Sequence, residues 1–533
     1  MQPFDYGSPF PSRRSPVMAR HGMVATSHPL AVAAGLEVLR EGGNAVDAAI
    51  ATAAALTVVE PTSNGLGSDA FALVWDGTRL HGLNASGRSP RRLTAQLVRE
   101  AGFSVMPIDG WLPVTVPGAV SGWVALSRRF GRLSFRRLFQ PAIRFAEEGH
   151  PVPPLTARAW QFAERRFGAR EDFRAAFLPG GRAPRAGELF RLPEQAETLR
   201  SIGESEGEAF YRGELASRMV AHAEAQGGLL AQEDLADHEP EWVEPLGMSR
   251  RGYRLWELPP NGQGVVALEA LGLLDPLDLG SELLAGRRLH LLVEALRAAF
   301  ADAYAHVADP TVTRVPASRL LEAGYLDERR RLLGEHRNPQ IASGRPGTGD
   351  TVYLCTADAE GRMVSFIQSN YMGFGSGVVV PGTGIALQNR GAGFTLEEGH
   401  PNQVGPGKRP FHTIIPAFLS TEAGEPLAAL GVMGGDMQPQ GHLQVLLSLL
   451  DHRLDPQAAL DAPRVHLLPD GRVALEPGIP AEAREDLARR GHTLAADMGL
   501  FGFGGGQIIW RDAGQGVYIA GSDPRKDGLA MGF

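Results

Sequence analysis

The chain has 533 residues, too many for one ordinary core but suited to a large α/β unit with insertions. Hydrophobic residues make up 43% and charged residues 21%, which excludes a disordered chain, and the formal net charge of −8 argues against a general nucleic-acid binder. A single cysteine, Cys355, rules out an intramolecular disulfide and CxxC metal sites.

The opening stretch MQPFDYGSPFPSRRSPVMARHG has an arginine pair but no apolar run behind it, so no signal peptide is expected. Residues 27–60 predict two helices. Ser27 is a candidate cap for the first, Gly42-Gly43 breaks the run, and Asn44 caps a second from Ala45 to Val59. The second, AVDAAIATAAALTVVE, is too short and alanine-rich to cross a bilayer and reads as a buried helix. With neither signal nor span, the expected location is the cytoplasm. Residues 71–83 predict a hairpin with Asp76-Gly77 at its turn. Residues 110–345 read mainly as helices, and 337–350, RNPQIASGRPGTGD, as an exposed linker. Beyond it, residues 351–430 are strands and turns, 437–451 and 480–491 are helices, and 507–510 and 516–521 are strands. That order predicts a layered sheet structure with helices on both faces.

Three stretches carry candidate chemistry. The strand TVYLCTAD begins abruptly at Thr351 after a Gly- and Pro-rich run, and it has two readings. One is a β-branched strand starter. The other is a nucleophile at a newly made N-terminus, whose own α-amine serves as base because it titrates near neutrality. The return strand RMVSFIQS, after the turn at 358–361, brings Gln368, Ser369 and Asn370 back toward Thr351. In VMGGDMQPQGHLQ, Gly434-Gly435 lies between an apolar run and a helical pattern. It is either a tight turn or a pair of backbone donors facing an oxyanion. NQVGPGKRPFHTIIP holds His412 and Thr413 in what is otherwise a connecting loop. No GxxxxGK[ST] or HExxH occurs, so no cofactor and no metal are expected.

Together these residues resemble the γ-glutamyltranspeptidase family of N-terminal nucleophile hydrolases. The resemblance runs from about Gly22 to Phe533 through GMVATSHPLAVAAGLEVLREGGNAVDAAIATAAALTVVEP, GDT with CTAD, FGSG, GPGKRP, GVMGG and GSDPRKDG. It implies an α+β fold, a four-layer αββα sandwich formed jointly by two subunits. It implies self-cleavage between Asp350 and Thr351, giving a large subunit of residues 1–350 and a small one of 351–533, as a possible dimer of such heterodimers. In these roles Thr351 is nucleophile and amine base, Ser369 contacts it, and the backbone of Gly434 and Gly435 holds the oxyanion. The substrate side would draw on Arg88, Asn370, Tyr371, Arg390, His412, Thr413 and Asp436. The expected substrate is a small γ-glutamyl or related acyl amide such as glutathione, with water the favoured acceptor, and the expected activity is that of a γ-glutamyltransferase or glutathione hydrolase. A glutaryl or cephalosporin-type acylase is the alternative, and a non-catalytic small-ligand binder a further one.

The pattern departs from the family where substrate is read. The family arginine that binds the α-carboxylate is replaced by Ser86, with Arg88 two residues on. The aspartate that binds the α-ammonium is replaced by Gly393, with the cation Arg390 nearby. His412 and Thr413 stand for paired serines, and Tyr371 for an asparagine. These changes predict weak or altered γ-glutamyl specificity.

Overall fold

The computed structural model describes residues 14–533 apart from 314, 342–349, 497 and 500. The readings of the N-terminal stretch and of the linker therefore fall largely outside the described residues. Two seven-stranded antiparallel sheets lie face to face. The first has the order β1 (Val17–Ala19), β13 (Val517–Ser522), β12 (Gly505–Asp512), β11 (Pro426–Met433), β10 (Ala417–Thr421), β7 (Tyr253–Glu257) and β6 (Leu246–Arg250). The second has the order β14 (Leu529–Gly532), β2 (Gly22–Thr26), β8 (Asp350–Asp358), β9 (Met363–Tyr371), β3 (Asp69–Trp75), β4 (Leu80–Ala85) and β5 (Glu241–Val243). Both sheets mix strands from before and after Thr351, so the two halves of the chain build them jointly.

Helices cover both outer faces. On the second sheet lie α1 (Pro29–Arg40), α2 (Ala45–Val59) and α3 (Ala119–Phe130), with α4 (Gln140–Glu148) packed on α2. On the first lie α5 (Gly264–Leu274) and α7 (Met437–Asp451), with α6 (Gly286–His306) packed on α5. Each interface has its own core. Val352, Leu354, Val364 and Phe366 pack under α2 to α4. Leu419, Leu430, Val432 and Ile508 pack under α5 to α7. Tyr353, Cys355, Ile367, Phe418, Ala429, Met433 and Ile509 fill the space between the sheets. Burying each large apolar side chain contributes about 1.5–3 kcal/mol, so three such layers hold the αββα sandwich together. Alternation along β8 sends even residues to the helices and odd residues between the sheets. Thr351 is therefore set on the inter-sheet side, at the end of its strand.

Local chemistry explains several elements. Gly42 adopts φ +94°, which ends α1. Asn44 accepts from the Val46 and Asp47 amides while Asp47 accepts from the Asn44 amide, which starts α2. All 15 residues of α2 are buried, and its alanines allow close approach to the sheet. Three expectations need correction. The cap of α1 is His28, whose Nδ1 accepts from Leu30 N, whereas Ser27 donates to Glu60. The mainly helical span contains β5 and β6, half-exposed edge strands without clean alternation, and β7, which lies next to the edge of its sheet. The last strand, β14, was not foreseen.

Candidate active site

Thr351 is the second residue of β8. The β8–β9 ladder shifts at this point. Asp350 pairs with Tyr371 and Val352 with Gln368, so Thr351 faces both Ser369 and Asn370. Such a bulge re-aims side chains at a strand end. Thr351 Oγ1 donates to Ser369 Oγ at 3.2 Å and accepts from Gln438 Nε2 at 3.3 Å. Both neighbours are themselves fixed. Ser369 Oγ accepts from the Tyr371 amide at 2.7 Å, and Gln438 Oε1 accepts from the Ile415 amide at 3.0 Å. Thr351 is 1% exposed.

Gly434 and Gly435 join β11 to α7 with φ of +127° and +62°, a conformation that favours glycine. The Gly434 carbonyl accepts from Met437 N, inside the turn. A trans peptide puts its N–H opposite its C=O, so the Gly435 N–H points away from that turn. Among the described residues neither glycine amide has an acceptor. Gln263 Nε2 ties the loop down by donating to Gly435 O at 2.9 Å and to Thr413 O at 2.7 Å.

A second cluster adjoins this one through Tyr371. The Tyr371 backbone has φ +78°, a costly state for an aromatic residue. Its ring lies 4.2 Å below the guanidinium carbon of Arg390. Arg390 is wholly buried, and its Nη1 donates to Thr413 Oγ1 at 2.7 Å. Among the described residues its Nε and Nη2 have no hydrogen-bond partner. Burial lowers its pKa to about 10, against the Tyr371 and Asp69 fields that raise it, so it stays a cation at neutral pH. Asp69 sits beside Ser369 on the neighbouring strand β3. Its Oδ1 accepts from the Gly87 and Gly118 amides, and its Oδ2 lies 3.1 Å from His412 Nε2. His412 Nδ1 accepts from Ile414 N, which assigns the proton to Nε2 and makes His412 the donor to Asp69. Burial, with Arg390 and Arg409, holds the His412 pKa well below its usual value. Burial raises Asp69 to about 7, opposed by Arg390 and the two amides.

The fold thus brings Thr351, Ser369, Tyr371, Arg390 and Thr413 into one continuous contact network, with the Gly434-Gly435 loop tied to Thr413. The remaining predicted residues are placed differently. Of the three polar residues on β9, only Ser369 reaches Thr351. Gln368 points to the opposite face, donating to Ala53 O and Asn64 Oδ1, and Asn370 Oδ1 accepts from Ser68. His412 is a neutral support for Asp69, not a free base. Asp436 is buried, and among the described residues its Oδ1, 3.6 Å from His466 Nε2, has no hydrogen-bond partner. Arg88 does not join the network. It is held by Asp309 at 2.6 Å, by Gly407 O and by Glu241. Gly393 cannot simply be read as a missing acid, because a Cβ there would stand 2.6 Å from the Phe411 carbonyl oxygen. Sequence reading missed Gln438, Gln263 and Asp69. The first turn of a helix behind a glycine pair pointed to Gln438, whereas nothing local marks Gln263 or Asp69. No cluster of three or more potential metal ligands occurs among the described residues, and no described helix is long and apolar enough to cross a membrane.

Residues 31–533 match the family model described as Gamma-glutamyltranspeptidase. A glutathione hydrolase-like YwrD proenzyme of Bacillus subtilis is 36% identical, over 97% of this chain and 99% of that protein. An oxamate amidohydrolase proenzyme of Klebsiella pneumoniae is also 36% identical, over 97% and 99% respectively. The crystal structure of a cephalosporin acylase from Bacillus halodurans is 51% identical, covers 99% of each chain and gives a TM-score of 0.94.

Proposed function

The chain belongs to the gamma-glutamyltranspeptidase family and is an enzyme of the N-terminal nucleophile hydrolase class, and from that premise we propose that it cuts itself before Thr351 and then hydrolyses acyl amides through that residue. In the first step Thr351 Oγ1 attacks the Asp350 carbonyl. The N-to-O shift breaks the peptide bond and forms an ester, and water hydrolyses the ester. Residues 1–350 and 351–533 become large and small subunits, joined by the mixed sheets. The freed α-amine then takes the Oγ1 proton as Thr351 attacks the substrate amide carbonyl. The amine hands that proton to the leaving nitrogen, and water releases the acyl group.

Ser369 and Gln438 orient the nucleophile, and the free amides of Gly434 and Gly435 stabilise the oxyanion. Donors of that kind are worth 10²–10³ in rate each. The observation that carries this reading is the Thr351 hydroxyl held between Ser369 and Gln438 at a strand end. Substrates are γ-glutamyl or similar acyl amides, with water as acceptor. The acylase reading is favoured by one specific observation. A side chain at Gly393 would meet the Phe411 carbonyl, and the buried cation Arg390, three residues before it, would repel a substrate ammonium.

The test is the intact mass of purified protein with N-terminal sequencing, followed by assays on γ-glutamyl- and glutaryl-p-nitroanilide. Two chains, the smaller beginning Thr-Val-Tyr-Leu, and release of nitroaniline are expected. A single chain that releases none overturns the proposal. Much faster turnover of the γ-glutamyl compound, stimulated by amine acceptors, overturns the acylase reading.

A further inference from the structure

Arg390 is an anomaly. A buried guanidinium ordinarily spends its five N–H donors on carboxylates or carbonyls. Here one nitrogen is engaged by Thr413 and two, Nε and Nη2, are unengaged at zero exposure. Among the described residues every other fully buried arginine has an anion beside it. Arg297 pairs with Glu294, Arg409 with Glu241, and Arg464 with Asp523. Arg390 has no ion pair among the described residues, and Asp69 acts on it only at longer range. Its position is also fixed rather than slack. Tyr371 stacks beneath it, Thr413 pins one end, and its backbone amide donates to Gln388. The Tyr371 amide in turn holds Ser369, which holds Thr351.

We infer that Arg390 is the specificity residue of this site: the free edge of its guanidinium, Nε and Nη2, receives a carboxylate on the acyl group of the substrate, selecting amides of dicarboxylic acids that lack an α-ammonium. Nε and one Nη on the same edge form the fork that grips two carboxylate oxygens at once. The ligand supplies the missing anion, and an ammonium beside the same fork would be repelled. This inference rests on the amidohydrolase reading above. Oxamate and glutaryl amides both present such a carboxylate at different chain lengths.

The experiment uses the processed enzyme and its Arg390→Gln and Arg390→Lys variants. Substrates are glutaryl-, pentanoyl- and γ-glutamyl-p-nitroanilide, with oxamate followed by ammonia release. Wild type should prefer glutaryl to pentanoyl by about 10²-fold in kcat/KM, the usual worth of hydrogen bonds to a charged group. Arg390→Gln should cost the glutaryl compound about 10²-fold more in kcat/KM than the pentanoyl compound and so erase that preference, and Arg390→Lys should restore part of it. Comparing oxamate with the glutaryl compound decides the chain length. Equal losses on the glutaryl and pentanoyl compounds, or a wild type indifferent to the carboxylate, overturn the assignment. A binding measurement separates this from failure of the amidohydrolase reading. Glutarate, and not pentanoate, should raise the melting temperature of wild type, and Arg390→Gln should abolish the shift even if no anilide is cleaved. No shift with wild type overturns the assignment while leaving self-cleavage intact. Should Arg390→Gln not fold, the wild-type contrast between glutarate and pentanoate decides alone.

Discussion

Two regions meet at Ser369 and are built on opposite terms. Around the nucleophile nearly every polar atom is spoken for. The Thr351 hydroxyl has a donor and an acceptor, and each of those has its own backbone anchor. Around Arg390 the account is left open, with two buried nitrogens unpaired and an aromatic residue at φ +78° beneath them. The difference tells which region is complete within the chain and which awaits something from outside. A nucleophile must be aimed before substrate arrives, so its neighbours are preorganised. A recognition group gains specificity when an unsatisfied buried charge is satisfied only by the right ligand.

The sharpest way to break the comparison is at Thr351. Thr351→Ala removes both the attacking oxygen and the seat of the amine base. It should abolish self-cleavage and lower amide hydrolysis by at least about 10⁴-fold, the scale seen when a covalent nucleophile is deleted. Thr351→Ser keeps the hydroxyl and should retain both reactions at reduced rate. Mass spectrometry and the anilide assay measure the two together. Persistent cleavage in Thr351→Ala would move the nucleophile elsewhere and dissolve the distinction between the regions.

What sequence could reveal follows the same divide. Thr351, the glycine pair, the Gly42-Gly43 break and the Asn44 cap are local signals, because a strand start, a positive φ or a cap depends on adjacent residues. Arg390 and Thr413 were legible as candidates. That two nitrogens of Arg390 lack partners was not, since unsatisfaction is a property of three-dimensional packing. Asp69 went unseen because its meaning comes from His412, 343 residues away. The facing error on β9, where Gln368 turns from Thr351, came from counting neighbours in sequence rather than faces: Gln368 pairs with Val352, and alternation puts both on the helix side of the sheet. Arg88 is a natural substitute for a lost arginine two residues earlier, yet it lies in the loop beyond β4, where the ion pair with buried Asp309 takes it elsewhere.

Asp69 joins the two regions and predicts a pH effect of intermediate size. Its carboxyl titrates near 7 in the fold, mainly through burial, against an ordinary 3.8. Between those values the folded state binds more protons than the unfolded state. Its contribution is therefore fully present below about pH 4 and lost as pH rises through 7. At roughly 1.4 kcal/mol per unit the loss amounts to a few kcal/mol. Urea midpoints at pH 5 and 8 should fall with rising pH in wild type, and Asp69→Asn should flatten that fall. An unchanged slope in the variant would assign the titration to another group.

Arg88 offers the smallest effect and the cleanest contrast with Arg390. Its side chain is about one-third exposed, while its partner Asp309 is buried. Burial alone would raise the Asp309 carboxyl, but the Arg409 and Thr311 amides together with Arg88 more than reverse this and hold it below its usual pKa. A depressed carboxyl contributes stability above its unfolded pKa near 4, and that contribution fades as pH falls through the lower folded value. Arg88→Ala takes away one of several partners, on the exposed side. The loss should be about 1 kcal/mol or less at neutral pH, and smaller still in acid, where Asp309 is protonated. The glutaryl-to-pentanoyl ratio should stay within twofold of wild type, because Arg88 is held by Asp309, Gly407 and Glu241, outside the hydrogen-bond network of Thr351. A collapse of that ratio in Arg88→Ala, with Arg390→Gln indifferent, would exchange the roles of the two arginines and place the carboxylate on the other side of the nucleophile.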